Sequence, residues 1–237
     1  MVNPDTDCLP IVLIAGLNCS ARLYAEQLPL MWQFGPVTIA DHRRDDTIAA
    51  IARRVLAASA PRFALAGLSM GGYIAFEIMR QAPERVIKLA LLDTGAGAET
   101  ADRTTARLPL LDLAASGRFA EITDLQFPFL VHRGRHDDVA LKAIVRAMNA
   151  ETGPEAYLRQ QRAIISRPDS RPHLAAIGCP TLVLVGDDDQ LTPPDLAGEM
   201  ATAIPRARLA VIAECGHLST IERPQAVNKA LVEWLSS

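Results

Sequence analysis

The sequence predicts an α/β fold with a mostly parallel central sheet and helices on both of its faces. Apolar runs of strand length alternate with segments of helical periodicity, and this alternation is typical of parallel α/β domains. The runs are continuously apolar, as expected for strands that are covered on both faces. A chain of 237 residues is long enough for one such domain with an insertion.

The first part of the chain supplies four of these apolar runs. The first run ends at Gly16 and leads to a predicted helix of about a dozen residues, with Ser20 as its N-cap and Trp32 near its end. The second run ends in a polar loop, and the helix after it places apolar residues at i, i+3, i+4 and i+7. The four predicted strands cover residues 10–15, 37–40, 63–66 and 86–92.

A glycine-flanked serine follows the third strand. Residues 67–71 read Gly-Leu-Ser-Met-Gly, and the pattern G-x-S-x-G places a serine on a sharp turn that only small flanking residues leave room for. So short a pattern is also common by chance, and its glycines could simply punctuate a loop. The apolar run before it and the helical spacing of Ile74, Ile78 and Met79 after it favour a functional turn. Ser69 is therefore the candidate nucleophile.

The alternation breaks between residues 96 and 172, where no strand pattern occurs. Helical periodicity follows instead, and the third candidate helix has Asp137 or Asp138 as its cap. The apolar turn at residues 127–130 is a candidate lining for an acyl pocket, although such aromatic clusters more often belong to the core. The four predicted helices cover residues 104–116, 117–125, 138–150 and 154–166.

Two later strand ends carry groups that could assist a serine nucleophile. The apolar run 179–185 leads into three adjacent aspartates, and the run 208–212 ends shortly before His217. Three neighbouring aspartates cannot all be buried in ionised form, so most of them must face water or backbone donors. His217 is the candidate base because serine, aspartate and histidine each follow a strand in that order.

This constellation resembles the α/β-hydrolase fold superfamily, and the chain is identified as an esterase-like or lactonase-like serine member over essentially its whole length. The resemblance implies a catalytic triad of Ser69, Asp189 and His217. Residues 186–193 match the pattern G-x-x-D-x-x-x-P, which selects Asp189 over its two neighbours. Asp93 is the rival acid, because some members place the acid one strand earlier; its other interpretation is a hydrogen bond to the loop backbone.

The resemblance also implies an oxyanion hole formed by the backbone N–H groups of Leu17 and Met70. Ala15 stands where the family usually has a histidine that braces the loop, which puts the rigidity of this loop in question. His42 precedes the serine and lacks a later acid in the family's order. We interpret His42 as a solvated or loop-bracing histidine rather than as the base.

The helical segment resembles the cap that covers the active site in this family, and we expect it to be inserted after the sixth strand. The expected core comprises residues 1–95 and 173–237, and the expected cap comprises residues 96–172. The cap would set the specificity, so the acyl length and the leaving group cannot be read from the sequence.

Histidine and cysteine spacings do not predict a metal site. His132 and His136 are four residues apart, but Gly134 between them argues against the helix that would align two imidazoles. We therefore expect no metal, and the family resemblance implies no cofactor. The cysteines match no CxxC motif and no dense disulfide framework, which favours reduced and mostly buried thiols at Cys8, Cys19, Cys179 and Cys215. Whether Cys19 and Cys215, beside two candidate active-site loops, can pair is left open.

Charge and hydropathy limit the partners. The net charge of −3 leaves no broad basic field, so neither nucleic acid nor a membrane surface is an expected partner. Residues 1–7 lack the features of a secretory signal, and no apolar run reaches membrane-spanning length. The expected location is cytoplasmic, and the oligomeric state is left open.

The resemblance implies a cofactor-independent carboxylic ester hydrolase that acts on small or medium acyl esters. A serine nucleophile argues against the epoxide hydrolases and haloalkane dehalogenases of this fold, which use an aspartate. The triad does not separate an esterase from a lactonase of the enol-lactone type, a thioesterase, a C–C bond hydrolase or a perhydrolase. A non-catalytic small-molecule receptor is the alternative from another class.

Overall fold

A single six-stranded sheet forms the centre of the computed structural model, which describes residues 8–237. The strands are β1 Ile11–Ile14, β2 Val37–Ile39, β3 Phe63–Leu68, β4 Val86–Leu92, β5 Thr181–Gly186 and β6 Ala207–Ile212. Their order across the sheet is β2-β1-β3-β4-β5-β6, and every pairing is parallel. The predicted mostly parallel sheet is confirmed.

Helices connect the strands and cover the sheet. Within residues 8–237 the α-helices are α1 Leu28–Met31, α2 Ile48–Ala58, α3 Met70–Gln81, α4 Ala101–Ala115, α5 Ile122–Leu130, α6 Val139–Thr152, α7 Pro154–Ile165, α8 Pro194–Ala203, α9 Ser219–Glu222 and α10 Pro224–Ser236. No helix in this part of the chain combines the length and the apolar character needed to cross a membrane. Residues 1–7, on which the expectation of no secretory signal rests, lie outside the described residues.

Two apolar cores lie on opposite faces of the sheet. In β1, Val12 and Ile14 pack into one core, whereas Ile11 and Leu13 pack into the other, since successive side chains of a strand point to opposite faces. The first core includes α2, α3 and α8, and the second includes α1 and α10. Both faces are therefore covered, and this is why the strand sequences are continuously apolar.

The helical segment between β4 and β5 contains α4 to α7, as predicted. Asp138 caps α6 by accepting a hydrogen bond from the backbone N–H of Leu141 at 2.8 Å. Within residues 8–237 this segment follows the fourth strand, so the expected position after a sixth strand is wrong. The expected count came from the family resemblance, whereas the chain itself has only four apolar runs before residue 96.

Two predicted elements differ from the structure near prolines. The predicted helix from Ser20 to Trp32 is broken into a 3₁₀ turn, Ala21–Tyr24, and the short α1. Pro29 explains the break, because proline lacks an N–H and its ring would clash with the carbonyl one turn earlier. Residues 127–130 form the end of α5 instead of a turn. There, burial of Phe127 in the core outweighs the low helix propensity of the adjacent proline.

Candidate active site

Ser69 lies on a strained turn between β3 and α3. Its backbone angles, φ 56° and ψ −114°, belong to a region that L-amino acids rarely adopt. Both flanking glycines are required by close backbone approaches. A Cβ on Gly67 would lie 2.3 Å from the carbonyl oxygen of Gly71, and one on Gly71 would lie 2.0 Å from that of Ile14. The predicted strand, turn and helix are present, and the sterics explain the glycine pattern.

His217 and Asp189 form a buried pair at the carboxyl ends of the strands. The Nδ1 atom of His217 lies 2.8 Å from Oδ2 and 3.0 Å from Oδ1 of Asp189. Both residues are 3% exposed. The Asp189 carboxylate also accepts hydrogen bonds from the backbone N–H groups of Leu191 and Thr192, each at 2.9 Å, and from the Thr192 hydroxyl at 2.7 Å. These donors hold the carboxylate in one orientation.

The electrostatics of this pair favour an ionised aspartate and an oriented imidazole. Burial alone would raise the pKa of Asp189, but His217 and the surrounding donors outweigh it and lower the pKa. Burial alone would lower the pKa of His217, but the attraction of Asp189 outweighs it and raises the pKa above the ordinary value of 6.5. A carboxylate acceptor fixes the proton on Nδ1, which leaves Nε2 of the neutral ring as a proton acceptor.

The two neighbouring aspartates hold loops together. Asp187 accepts hydrogen bonds from the backbone N–H groups of Glu214 and Cys215, each at 3.0 Å. Asp188 pairs with the Arg133 guanidinium and accepts from the Arg133 backbone N–H at 3.0 Å; these contacts lower the pKa of Asp188. Each of the three aspartates therefore has its own donors, and only Asp189 among them contacts His217.

Asp93, the rival acid, is fully buried at the end of β4. It accepts hydrogen bonds from the backbone N–H of Gly186 at 3.1 Å and from the hydroxyl of Ser219. Within the described part of the chain it makes no hydrogen bond to His217. The geometry thus assigns the histidine to Asp189 rather than to Asp93.

The candidate oxyanion donors lie on two adjoining backbones. Leu17 and Ser69 line the same cavity, and a Cβ on Gly16 would lie 3.4 Å from the Cβ of Ser69. The backbone N–H of Leu17 makes no hydrogen bond to any residue from 8 to 237. Met70 is the first residue of α3, where helix geometry provides no intrahelical acceptor for the N–H. Neither N–H group therefore donates to a backbone acceptor in the described part of the chain.

His42 braces the loop in which Ala15 replaces the usual histidine. Its Nε2 lies 3.0 Å from the carbonyl oxygen of Gly16, although the two residues are 26 positions apart. Burial lowers the pKa of His42, so the ring is neutral and its Nε2–H donates to that carbonyl. Of the two sequence interpretations, solvated or loop-bracing, the structure supports the second. A further brace comes from α7, where Oε1 of Gln160 accepts from the Asn18 N–H at 3.1 Å.

The contact of Gln160 with Asn18 could not be read from the sequence. A buried glutamine on an amphipathic helix carries no signal of its partner, and Asn18 is 142 residues away. The loop-bracing function that a histidine at position 15 would have is thus divided between a histidine after β2 and a glutamine in the helical segment.

Ser69 and His217 line one cavity of about 220 Å³, which we call the Ser69 cavity. Of the two interpretations of residues 127–130, pocket lining and core, Leu130 agrees with the first and Phe127 with the second, whereas Phe129 is 53% exposed. A second cavity, of about 260 Å³ beside Glu77, contains none of the candidate catalytic residues. The wall of the Ser69 cavity has these members from the helical segment: Arg103, Ala106, Arg107, Leu110, Thr123, Gln126, Leu130, Val145 and Ile164.

The last candidates for metal or disulfide chemistry are His132 and the four cysteines. His132 accepts a hydrogen bond at Nδ1 from the Gly134 N–H, at 3.1 Å. In residues 8–237 no group of three or more His, Cys, Asp or Glu side chains could hold a metal ion. All four cysteines are free thiols, and two of them, Cys19 and Cys215, are buried. Burial raises the pKa of both buried thiols, that of Cys19 to about 12.

The α/β-hydrolase fold family model matches residues 26–224 of this chain, and the chain belongs to that family. A sequence relative from Mycobacterium tuberculosis, which bears the name non-heme bromoperoxidase BpoC, is 32% identical and covers 72% of this chain and 67% of that protein. The resemblance predicted from the motifs is confirmed at the level of the family.

Two solved structures have the same fold as this chain. A thermophilic esterase from Thermogutta terrifontis superposes with a TM-score of 0.87 at 27% identity, covering 96% of this chain and 89% of that one. The enol-lactonase from Burkholderia xenovorans LB400 has a TM-score of 0.87 at 24% identity, covering 99% and 94%, a level that shows the common fold alone. The fold and these relatives support a hydrolase.

Proposed function

We propose that this protein is a serine hydrolase that cleaves carboxylic esters of small or medium acyl groups through an acyl-enzyme. The observation that carries the proposal is the 2.8 Å contact between His217 and Asp189 beside the strained turn of Ser69, with Ser69 and His217 in one cavity. An imidazole oriented by a carboxylate and a partly buried serine hydroxyl that share one cavity are the groups that activate a serine for attack.

Acylation would begin with attack of the Ser69 Oγ on the ester carbonyl carbon. Nε2 of His217 takes the hydroxyl proton as the bond forms, and Asp189 stabilises the resulting imidazolium. The backbone N–H groups of Leu17 and Met70 donate to the tetrahedral oxyanion. Collapse of this intermediate breaks the bond to the leaving alcohol, which receives the proton from His217, and the acyl group stays on Ser69.

Deacylation repeats these steps with water. His217 accepts a proton from the attacking water, the second tetrahedral intermediate forms at the same donors, and its collapse returns the proton to Ser69 while the carboxylic acid leaves. One oxyanion donor is worth about 2.7–4 kcal/mol of barrier in other enzymes. The brace between His42 and Gly16 would protect that contribution by holding the Leu17 loop in place.

The cavity supports small acyl groups. Its volume of about 220 Å³ lies below the ~300–1,000 Å³ that is typical of sites for drug-sized ligands. In this proposal residues 96–172 act as a cap over a core of residues 1–95 and 173–237, because helices α4 to α7 supply much of the cavity wall. A cytoplasmic location is part of the same proposal. Lactones, thioesters and activated C–C bonds would use the same acyl-enzyme.

Labelling with a fluorophosphonate probe tests the proposal. Such probes form a phosphonyl adduct only with an activated serine, so we expect intact-protein mass spectrometry to show one adduct and peptide mapping to place it on Ser69. The Ser69→Ala variant serves as the control and should stay unlabelled. Folded wild-type protein that gains no adduct at Ser69 would sink the enzyme proposal in favour of a non-catalytic receptor.

A further inference from the structure

Helix α4 brings two arginines to the wall of the Ser69 cavity. Arg103 and Arg107 are one helical turn apart and both line the cavity together with Ser69 and His217. No aspartate or glutamate from residues 8–237 lines it. The charged side chains that face a bound substrate are therefore cationic. These two arginines are distinct from His217 and Asp189, which perform the proposed chemistry.

Arg107 already has a carboxylate partner. Its Nε lies 2.8 Å from Oε1 of Glu99, and its Nη1 donates to Oε1 of Gln161 at 2.9 Å. The Glu99 side chain is 2% exposed and also pairs with Arg167. One carboxylate is thus divided between two guanidinium groups. Among the described residues, Glu99 makes no ion pair with Arg103.

Arg103 has no carboxylate partner in the described part of the chain. It is half-buried, and its guanidinium donates from Nη2 to the carbonyl oxygen of Leu191, in the loop that follows Asp189. This bond to the loop uses one of the five N–H donors of the Arg103 guanidinium. The planar guanidinium suits a carboxylate, which it can bind through two parallel hydrogen bonds.

The same cavity contains a polar group without an internal partner. Thr123 of α5 lines it and is 2% exposed, and its hydroxyl makes no hydrogen bond to the described residues. A buried hydroxyl without a partner is unfavourable, so the wall formed by α4 and α5 suits a polar ligand group better than an alkyl chain.

We propose that Arg103 binds a free carboxylate of the substrate, so that the preferred esters carry a second, ionised carboxyl group. This inference rests on the ester hydrolase function proposed above and names its substrate class. Because the site lies in a cavity partly removed from water, the charge-assisted contact with Arg103 is strong enough to set the preference.

Matched substrate pairs test the inference. Monomethyl succinate carries the carboxylate on the acyl side, and methyl succinamate is its neutral amide; acetoxyacetate and acetoxyacetamide form the same pair for the alcohol side. For wild-type protein we expect kcat/KM to favour the charged member of at least one pair by roughly 10- to 100-fold. The favoured pair tells which side of the ester faces Arg103.

Variants locate the preference. Arg103→Gln should lower the charged-to-neutral ratio of kcat/KM by at least about tenfold, and Arg103→Lys should retain part of it, because lysine keeps the charge but loses the fork. Arg118→Gln is the matched control, since Arg118 is exposed, pairs with Glu121 and does not line the cavity. It should leave the ratio and the activity unchanged. Circular dichroism should verify that each variant is folded.

Calorimetry separates this inference from the function on which it rests. Ser69→Ala protein should bind the charged ester of the favoured pair at least about tenfold more tightly than the amide, and Ser69→Ala/Arg103→Gln should lose that difference. If wild-type protein cleaves no ester but Ser69→Ala protein shows the binding difference, the function fails and the carboxylate site stands. Equal binding of both members, or a preference that survives in folded Arg103→Gln protein, overturns the inference.

Discussion

Two buried aspartates, Asp93 and Asp189, follow neighbouring strands of the sheet and have opposite electrostatic environments. Asp93 comes directly after β4 and Asp189 lies three residues after the end of β5. Asp189 contacts an imidazole at 2.8 Å, whereas Asp93 accepts from the neutral donors Gly186 N–H and Ser219 Oγ. A position after a strand end therefore brings a carboxyl group close to the site, whereas the hydrogen-bonding partners of that carboxyl group decide whether it is ionised.

The pKa values of the two groups move in opposite directions. Burial and then the nearby Asp189 charge raise the pKa of Asp93 well above its ordinary value of 3.8, whereas the contacts of Asp189 with His217 lower that of Asp189. Two buried like charges cannot both be ionised at low cost. Asp189 contacts His217, the candidate base, and Asp93 accepts a hydrogen bond from Ser219, in the loop two residues after His217.

The largest expected effect is that of Asp189→Asn. An amide can present its NH₂ to the ring and favour the wrong tautomer of His217, so we expect kcat for a small p-nitrophenyl ester to fall roughly 10⁴-fold, as for the equivalent change in a well-studied serine protease. Steady-state turnover of protein shown to be folded by circular dichroism measures it. Full turnover in Asp189→Asn, together with its loss in Asp93→Asn, would reverse our assignment of the acid.

Acidification should have the next largest effect. His217 must be neutral to accept the Ser69 proton, and its pKa is raised above 6.5 in the folded protein. We therefore expect kcat/KM to fall about tenfold per pH unit below a midpoint above 6.5. In Asp189→Asn the residual activity should have its midpoint at lower pH, because the charge that raises the pKa of His217 is gone. An unchanged midpoint in that variant would contradict the pairing.

Asp93→Asn should have a small effect on activity and a pH-dependent effect on stability. Asparagine keeps the acceptor for Gly186, so we expect turnover to fall by less than about tenfold, or about 1.4 kcal/mol. Because the pKa of Asp93 is raised in the folded state, the free energy of unfolding of wild-type protein should fall by about 1.4 kcal/mol per pH unit as pH rises from 3.8 to that pKa. Urea unfolding should thus show that the free energy of unfolding of Asp93→Asn, relative to that of wild-type protein, increases as pH rises. A constant difference between pH 5 and pH 8 would mean that Asp93 is ionised in the folded protein.

Local signals predicted the parts of the molecule whose causes are local. Gly67 is needed because its Cβ would lie 2.3 Å from the carbonyl oxygen of Gly71, which follows shortly after it, and the capping of α6 by Asp138 involves residues three positions apart. The break before α1 was missed although Pro29 is visible in the sequence. The length of α5 was missed because burial of Phe127 overrides the effect of a proline, and burial is a property of the folded chain.

The sequence by itself determined the parallel sheet, the helices on both faces, the turn that carries Ser69 and the order of candidate residues along the chain. The family resemblance selects Asp189, and the tertiary structure shows its contact with His217. Only the tertiary structure decided that His42 and Gln160 brace the Leu17 loop and that Arg103 lines the Ser69 cavity. Periodicity and turn sterics act between residues a few positions apart, so they can be read from neighbours. The contacts of His217 with Asp189, of His42 with Gly16 and of Gln160 with Asn18 join residues 26 to 142 positions apart, and only the packing of the whole domain sets them.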